Sequence, residues 1–425
     1  MKKITFIFIV SICIINNSFP QSFKVLNYLK SISGIKTLTG EHNREPNSEP
    51  AAWTDSIYAS TGKYPAFWSG DFLYESDNIA NRWSMIHEAV KQWNSGAIVQ
   101  LMFHTCPPTE LEPCSWQGTG GVLSGLSGAQ WRDLITDGTT LNNNWKARLD
   151  ELVPYFQYLK QNGVEVLFRP LHEMNQKAFW WGGRPGPGGT ARLFQITHDY
   201  MESKGLTNII WVWDLQDFST LSSDVTTYDP GSNYWDILAL DVYYSDGQGY
   251  TAQKYNIIKA KAGNKPMAIG ECQVLPTAGI LSEQPQWAFF MGWSELVFSN
   301  NSIAQIISLY NSSKVVTLGE MPGWSNYSGL FNVESPMPKS YKLYQNYPDP
   351  FNPSTIISYF VPKSSIITIK IFDLFGRTVK TLVDEQKNPG SYKITFNAAG
   401  LSSGVYFYRL WSSDYTSIKK MLLLK

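Results

Sequence analysis

Neither sign of charge predominates in this chain, and no apolar run in it is long enough to cross a membrane. Lys plus Arg and Asp plus Glu stand at 35 each over 425 residues. The basic field that a phosphate backbone requires is therefore missing, and no nucleic-acid partner is expected. The apolar run at residues 4–15 falls short of the roughly 20 residues that a span needs, so no stable membrane span is expected. Lys2 and Lys3 precede that run and Asn16, Asn17 and Ser18 follow it, which is the layout of a secretory signal peptide, expected over residues 1–22. Cysteine is scarce, with four in all. Cys13 leaves with the signal, Cys106 and Cys114 have a spacing that permits a disulfide in an oxidising compartment, and Cys272 is expected as a free thiol. No HExxH spacing occurs, and His172 and Glu173 are adjacent rather than spaced as metal ligands, so neither a metal nor another cofactor is expected.

Tryptophan, by contrast, is abundant and uneven. Fifteen of the 16 lie before residue 341, the exception being Trp411. Most are expected to fill a large core, and a few flat rings would suit a groove that stacks on sugar rings. Charge is uneven too: residues 341–425 hold 11 Lys/Arg against 5 Asp/Glu, while the rest of the chain is acidic. Two units of different character follow.

From residue 35 to about 310, short β-rich runs alternate with segments of helical period. Eight runs stand out, at 36–40, 65–71, 97–104, 164–171, 208–214, 236–243, 266–271 and 287–293. Plausible helices lie at 78–94, 144–162, 189–204 and 252–262. Eight strands with intervening helices fit an α/β fold closed as a (β/α)8 TIM barrel better than an open sheet. Residues 334–340 read as a Pro/Ser linker. Beyond them, alternating runs at 354–361, 366–372, 392–396, 405–410 and 418–424 predict a small all-β sandwich over 341–425. With no His and few acids, that sandwich is a poor candidate for chemistry.

In a closed barrel the strand ends converge on one face, where active sites are built. Here those ends carry Asp71, His104, Arg169 with His172 and Glu173, Trp213 with Asp214, Asp241 with Tyr243, Glu271 and Trp293. Glu173, amid Arg169, His172 and the aromatic run Phe179-Trp180-Trp181, has the surroundings of a tunable acid; it could also serve only as the buried partner of Arg169. Glu271 ends the seventh run, roughly across the barrel mouth from the fourth. Two carboxyls about 5–5.5 Å apart would give double displacement at a glycosidic carbon, one attacking and the other serving as acid and then base. Gly270 would let a sugar ring approach the backbone, or would simply mark a turn.

The runs His172-Glu-Met-Asn175, Phe179-Trp-Trp-Gly182 and Ile269-Gly-Glu271, with the Trp-rich strands before them, resemble glycoside hydrolase family 26 over roughly residues 23–333. His172 immediately before the acid/base position points to that family among its relatives. The resemblance implies a (β/α)8 barrel and a secreted, retaining endo-β-1,4-mannanase acting on mannan, glucomannan or galactomannan. Other β-glycans, such as β-1,3-xylan or mixed-linkage β-glucan, and an inactive glycan-binding protein remain as alternatives. It implies Glu173 as acid/base and Glu271 as nucleophile. His104, His172, Trp180, Trp181, Tyr243 and Trp293 would contact substrate, Tyr243 bonding the nucleophile, and Asp71, Arg169 and Asp241 would support them. Gln176, Lys177 and Ala178 depart from the small residues expected there, which bears on substrate more than on reaction.

The tail carries Tyr344-Gln-Asn-Tyr-Pro-Asp-Pro-Phe-Asn-Pro353, Phe372-Asp-Leu-Phe-Gly-Arg377 and Gly404-Val-Tyr-Phe-Tyr408. It resembles the C-terminal sorting domain of the type IX secretion system. That implies passage through periplasm and outer membrane by that machinery, ending in release or surface attachment. A monomer acting on a polysaccharide is expected.

Overall fold

A computed structural model describes residues 23–324, 341–346, 349–387, 390–412 and 415–424. The expected signal peptide and the linker lie outside them. The chain divides into two compact units.

In the first unit the eight expected runs become eight parallel strands: β1 (Thr37–His42), β2 (Phe67–Asp71), β3 (Ile98–Phe103), β4 (Val166–Pro170), β5 (Ile209–Gln216), β6 (Ile237–Val242), β7 (Met267–Cys272) and β8 (Trp287–Trp293). Each pairs with its neighbour, and β8 and β2 both pair with β1, so the sheet closes. A further two-residue strand, β9 (Val315–Val316), pairs with β1. Strands β3, β5, β6 and β8 read as near-continuous apolar runs because both faces are buried, one by barrel filling and the other by helices. Helices occupy the expected stretches, with two refinements: the segment expected at 78–94 breaks into Ser76–Ala80 and Arg82–Asn94, and the one expected at 144–162 runs over Thr140–Gln161. Twelve of the 16 tryptophans are buried, Trp68, Trp145, Trp180, Trp181, Trp213 and Trp287 fully, so most of the tryptophan does fill core. Among the described residues no helix is long and apolar enough to cross a membrane.

The two sheets of the second unit are antiparallel. Strands β10 (Lys342–Leu343), β11 (Ser354–Val361) and β14 (Gly390–Asn397) form one sheet, while β12 (Ser365–Phe372), β13 (Thr378–Lys387), β15 (Gly404–Trp411) and β16 (Thr416–Leu423) form the other. Ile357 and Val361 from the first sheet share one core with Ile369, Tyr408 and Leu423 from the second, the expected sandwich. Strand β13 escaped the sequence reading because it is a charged edge strand that buries only Val383. Charge on an edge discourages pairing with other chains, and it also erases the apolar alternation.

Candidate active site

The site begins where β4 ends. Arg169 points into the barrel and is fully buried; the chain then turns sharply through Leu171 and Glu173, both at positive φ (52° and 49°). Non-glycine residues rarely adopt that conformation, so neighbours must hold it. The end of β5 does so. Asp214 Oδ2 accepts from the Glu173 N–H at 3.2 Å, and Asn175 exchanges bonds with the Gln216 backbone at 2.8 and 3.0 Å. The acid/base candidate is thus fixed by backbone constraints from the next strand.

Glu271, at the end of β7, has donors on both oxygens. Tyr243 Oη donates to Oε2 at 2.6 Å and Arg169 Nη2 donates to Oε1. The other guanidinium nitrogen of Arg169 bonds Asp214 at 2.8 Å and Asp241 at 2.9 Å. Arg169 therefore pairs with Glu271, Asp214 and Asp241 rather than with Glu173. Gly270 has a different reason from the sugar approach expected of it. A Cβ there would fall 2.5 Å from Asp241 Oδ1 and 3.1 Å from Arg169 Nη1, so the glycine makes room for the ion pair that holds Glu271.

Oxygens of Glu173, Asp241 and Glu271 lie within 4.8 Å of one another. Such a cluster has the composition of a metal site, but Arg169, Tyr243 and Gln176 already donate to it, and a cation would face the guanidinium. Glu173, Asp241 and Glu271 are all buried and close together, and burial raises each of them. Burial, followed by the charges of Glu271 and Asp214, pushes Glu173 well above the usual carboxylate range. Burial raises Glu271 as well, but Arg169 and the Tyr243 hydroxyl oppose the rise. Of the two, Glu173 is thus the one whose surroundings favour the protonated form more, while Arg169 and Tyr243 favour the charged form of Glu271.

Two histidines cover the pair. Asp71 Oδ2 bonds His104 Nδ1 at 2.5 Å and Asp71 Oδ1 accepts from the His104 N–H at 3.0 Å. Burial works against ionisation of Asp71, but the His104 contacts outweigh it and hold the carboxyl at about 2. His172 packs edge-on to His104 with ring centroids 4.4 Å apart. Burial, then His104 and Arg169, depresses His172 well below its ordinary value, so it is a neutral imidazole.

A cavity of about 570 Å³ opens above these groups, lined by His104, His172, Glu173, Tyr243, Glu271 and Trp293 among the expected residues. Asp71, Arg169 and Asp241 lie beneath it. Trp180 and Trp181 do not reach it: both indoles are buried, donating to the carbonyls of Thr105 at 2.8 Å and His172 at 2.9 Å. Phe179, stacked on Trp181 at 4.4 Å, presents the ring to the cavity instead. Arg44, Tyr74, Trp116, Gln176, Ala178 and Gln216 also line it. Trp116 follows two residues after Cys114, which closes a disulfide with Cys106, and its indole is exposed; nothing in the local sequence marks it as a cleft residue. His42, stacked under Trp293 at 4.2 Å, was missed because nothing local marks it. Cys272 is a buried free thiol, as expected.

The family model "Glycosyl hydrolase family 26" matches residues 16–320, and "Secretion system C-terminal sorting domain" matches residues 345–424. A mannan endo-1,4-β-mannosidase of Thermothelomyces thermophilus is 29% identical, covering 73% of this chain and 64% of the relative. Mannan endo-1,4-β-mannosidase A and B of Caldalkalibacillus mannanilyticus is 30% identical, covering 73% and 63%. The chain thus spans just under two thirds of the length of these curated relatives. Among solved structures, GH26A from Muricauda sp. is 33% identical with a TM-score of 0.64, covering 70% of this chain and 95% of that one. The tail match marks export by type IX secretion to the cell surface or the extracellular space.

Proposed function

This chain belongs to glycosyl hydrolase family 26, and from that premise we propose that it is a secreted, retaining endo-β-1,4-mannanase acting on mannan, glucomannan or galactomannan. One observation carries the mechanism: carboxylate oxygens of Glu173 and Glu271 within 4.8 Å of each other in a cleft. An inverting enzyme holds its carboxyls about 6.5–9.5 Å apart to admit a water, whereas about 5–5.5 Å suits direct attack. Glu271, charged and aimed by Arg169 and Tyr243, attacks the anomeric carbon while Glu173 protonates the departing oxygen. Glu173, now a carboxylate, takes a proton from water, whose oxygen bonds the same carbon as Glu271 leaves. Neutral His172 can hydrogen-bond sugar hydroxyls without placing a second cation beside the developing oxocarbenium charge. Mannan as substrate is carried by the relatives, which are mannan endo-1,4-β-mannosidases.

The test is release of reducing ends from β-mannan, glucomannan, galactomannan, β-1,3-xylan and mixed-linkage β-glucan by the wild type and by Glu271→Ala. Release from the mannans, lost in the variant, is expected. Release from xylan or mixed-linkage glucan alone would overturn the substrate, and binding without release by the wild type would overturn catalysis.

A further inference from the structure

Of the three residues that depart from the expected pattern after Asn175, Gln176 is placed at the acid/base itself and Ala178 on the wall of the same cleft. Gln176 follows Glu173 by one turn, its N–H bonding the Glu173 carbonyl at 2.8 Å. Its side-chain Nε2 then donates to Glu173 Oε2 and also to Gln216 Oε1, the latter at 2.8 Å. A carboxamide NH2 has two hydrogens, and both are committed, one to each oxygen. Gln216 is itself held by the Asn175 bonds to its backbone, so the amide is braced from β5. Gln176, Gln216 and Ala178 all line the cleft.

We propose that Gln176 is a positioning residue for Glu173, its amide occupying Oε2 so that Oε1 is the oxygen that carries the transferable proton. The inference rests on the hydrolase reading above. In the first step the Oε1 proton passes to the glycosidic oxygen as its bond to the anomeric carbon breaks and the bond to Glu271 forms. In the second step the N–H of Gln176 steadies the resulting carboxylate while Oε1 receives the proton of water. A donor that serves the charged form moves the acid–base equilibrium of Glu173 toward the carboxylate. The other charges facing Glu173 are Glu271, Asp214, Asp217 and Arg169, with Arg44 and Glu45 elsewhere on the cleft wall. None of them is a hydrogen-bond partner of the Gln176 side chain.

The experiment is the pH profile of kcat/KM on a soluble mannan for the wild type, Gln176→Met and Gln216→Met. Methionine keeps the bulk and removes the donor. Loss of a hydrogen bond to a charged group should carry the alkaline limb of Gln176→Met upward by about one pH unit. Gln216→Met, which frees the brace but keeps the donor, should move it less and in the same direction. A purely structural role would lower the whole profile without moving the limb. An alkaline limb in Gln176→Met that coincides with the wild type, or lies below it, overturns the proposal. If that variant does not melt cooperatively, the limb of Gln216→Met decides by the same criterion. A wild type inactive on every glycan would sink the hydrolase reading instead, so the two failures are distinguishable.

Discussion

Replacing Arg169 with methionine tests the electrostatic core of the site. The guanidinium is fully buried and bonds Glu271, Asp214 and Asp241 together. Methionine leaves those carboxyls in a dry interior with no counter-charge. Removing one partner from a buried ionic cluster costs about 3–5 kcal/mol. With about 2–4 °C per kcal/mol for a large domain, the melting temperature should fall on the order of 10 °C. Glu271 also loses a charge-assisted hydrogen bond worth about 1.5–3 kcal/mol, which translates to about 1–2 pH units. The acid limb of kcat/KM, which reports ionisation of the nucleophile, should move up by that amount. The sign of the stability effect follows from the direction of the shifts. Asp241 and Glu271 are raised in the folded protein, so their unfavourable contribution appears as pH rises through their folded values. Arg169 offsets it there, and the gap between wild type and variant should be widest near neutrality and narrow as pH falls toward 4.5. The assays are thermal melts and kcat/KM across pH. An unmoved acid limb, or a stability gap that widens on acidification, would refute the reasoning.

Glu173→Ala should lose activity strongly on mannan and far less on activated aryl mannosides, whose leaving groups need no proton; equal losses on both would remove Glu173 from the acid role. Glu173→Gln should gain melting temperature relative to the wild type as pH rises above about 4.5, because the raised Glu173 contributes stability only while it keeps its proton; a constant difference across pH would contradict that. Trp181→Ala should cost about 3–5 kcal/mol by calorimetry and depress kcat/KM, since the indole braces both Phe179 and the His172 carbonyl; a stable variant of unchanged activity would show the wall needs no such support. A chain ending near residue 335 should keep full activity, and disappearance of the barrel's melting transition in it would show that the two units fold as one.

What the sequence revealed and what it hid divide along a physical line. Glu173, Glu271 and Tyr243 were legible because strand ends in a closed barrel face one side, so position in the run predicts convergence. The barrel itself was legible from the alternation of short apolar runs with helical ones. Which ring of Phe179-Trp180-Trp181 turns to the cleft was not, because a loop has no period. There the choice is made by a tight turn in which a Cβ on Gly182 would fall 2.1 Å from the Gln176 carbonyl oxygen. The partner of Arg169 was equally hidden: the nearest acid along the chain is Glu173, yet the guanidinium crosses the barrel to β5, β6 and β7. Gly270 was noticed for the right reason, close approach, but the approaching group is Asp241 rather than a sugar. Gln176 looked like a departure from pattern and gains a meaning only once its amide is placed against Glu173.

The most direct trial of the account is to trap the wild-type enzyme with a 2-deoxy-2-fluoro glycoside of activated leaving group and to sequence the labelled peptide. The label is predicted on Glu271, within Met267–Cys272. A label on any other residue, or turnover of mannan with inversion at the anomeric carbon, would contradict the assignment of these two carboxylates.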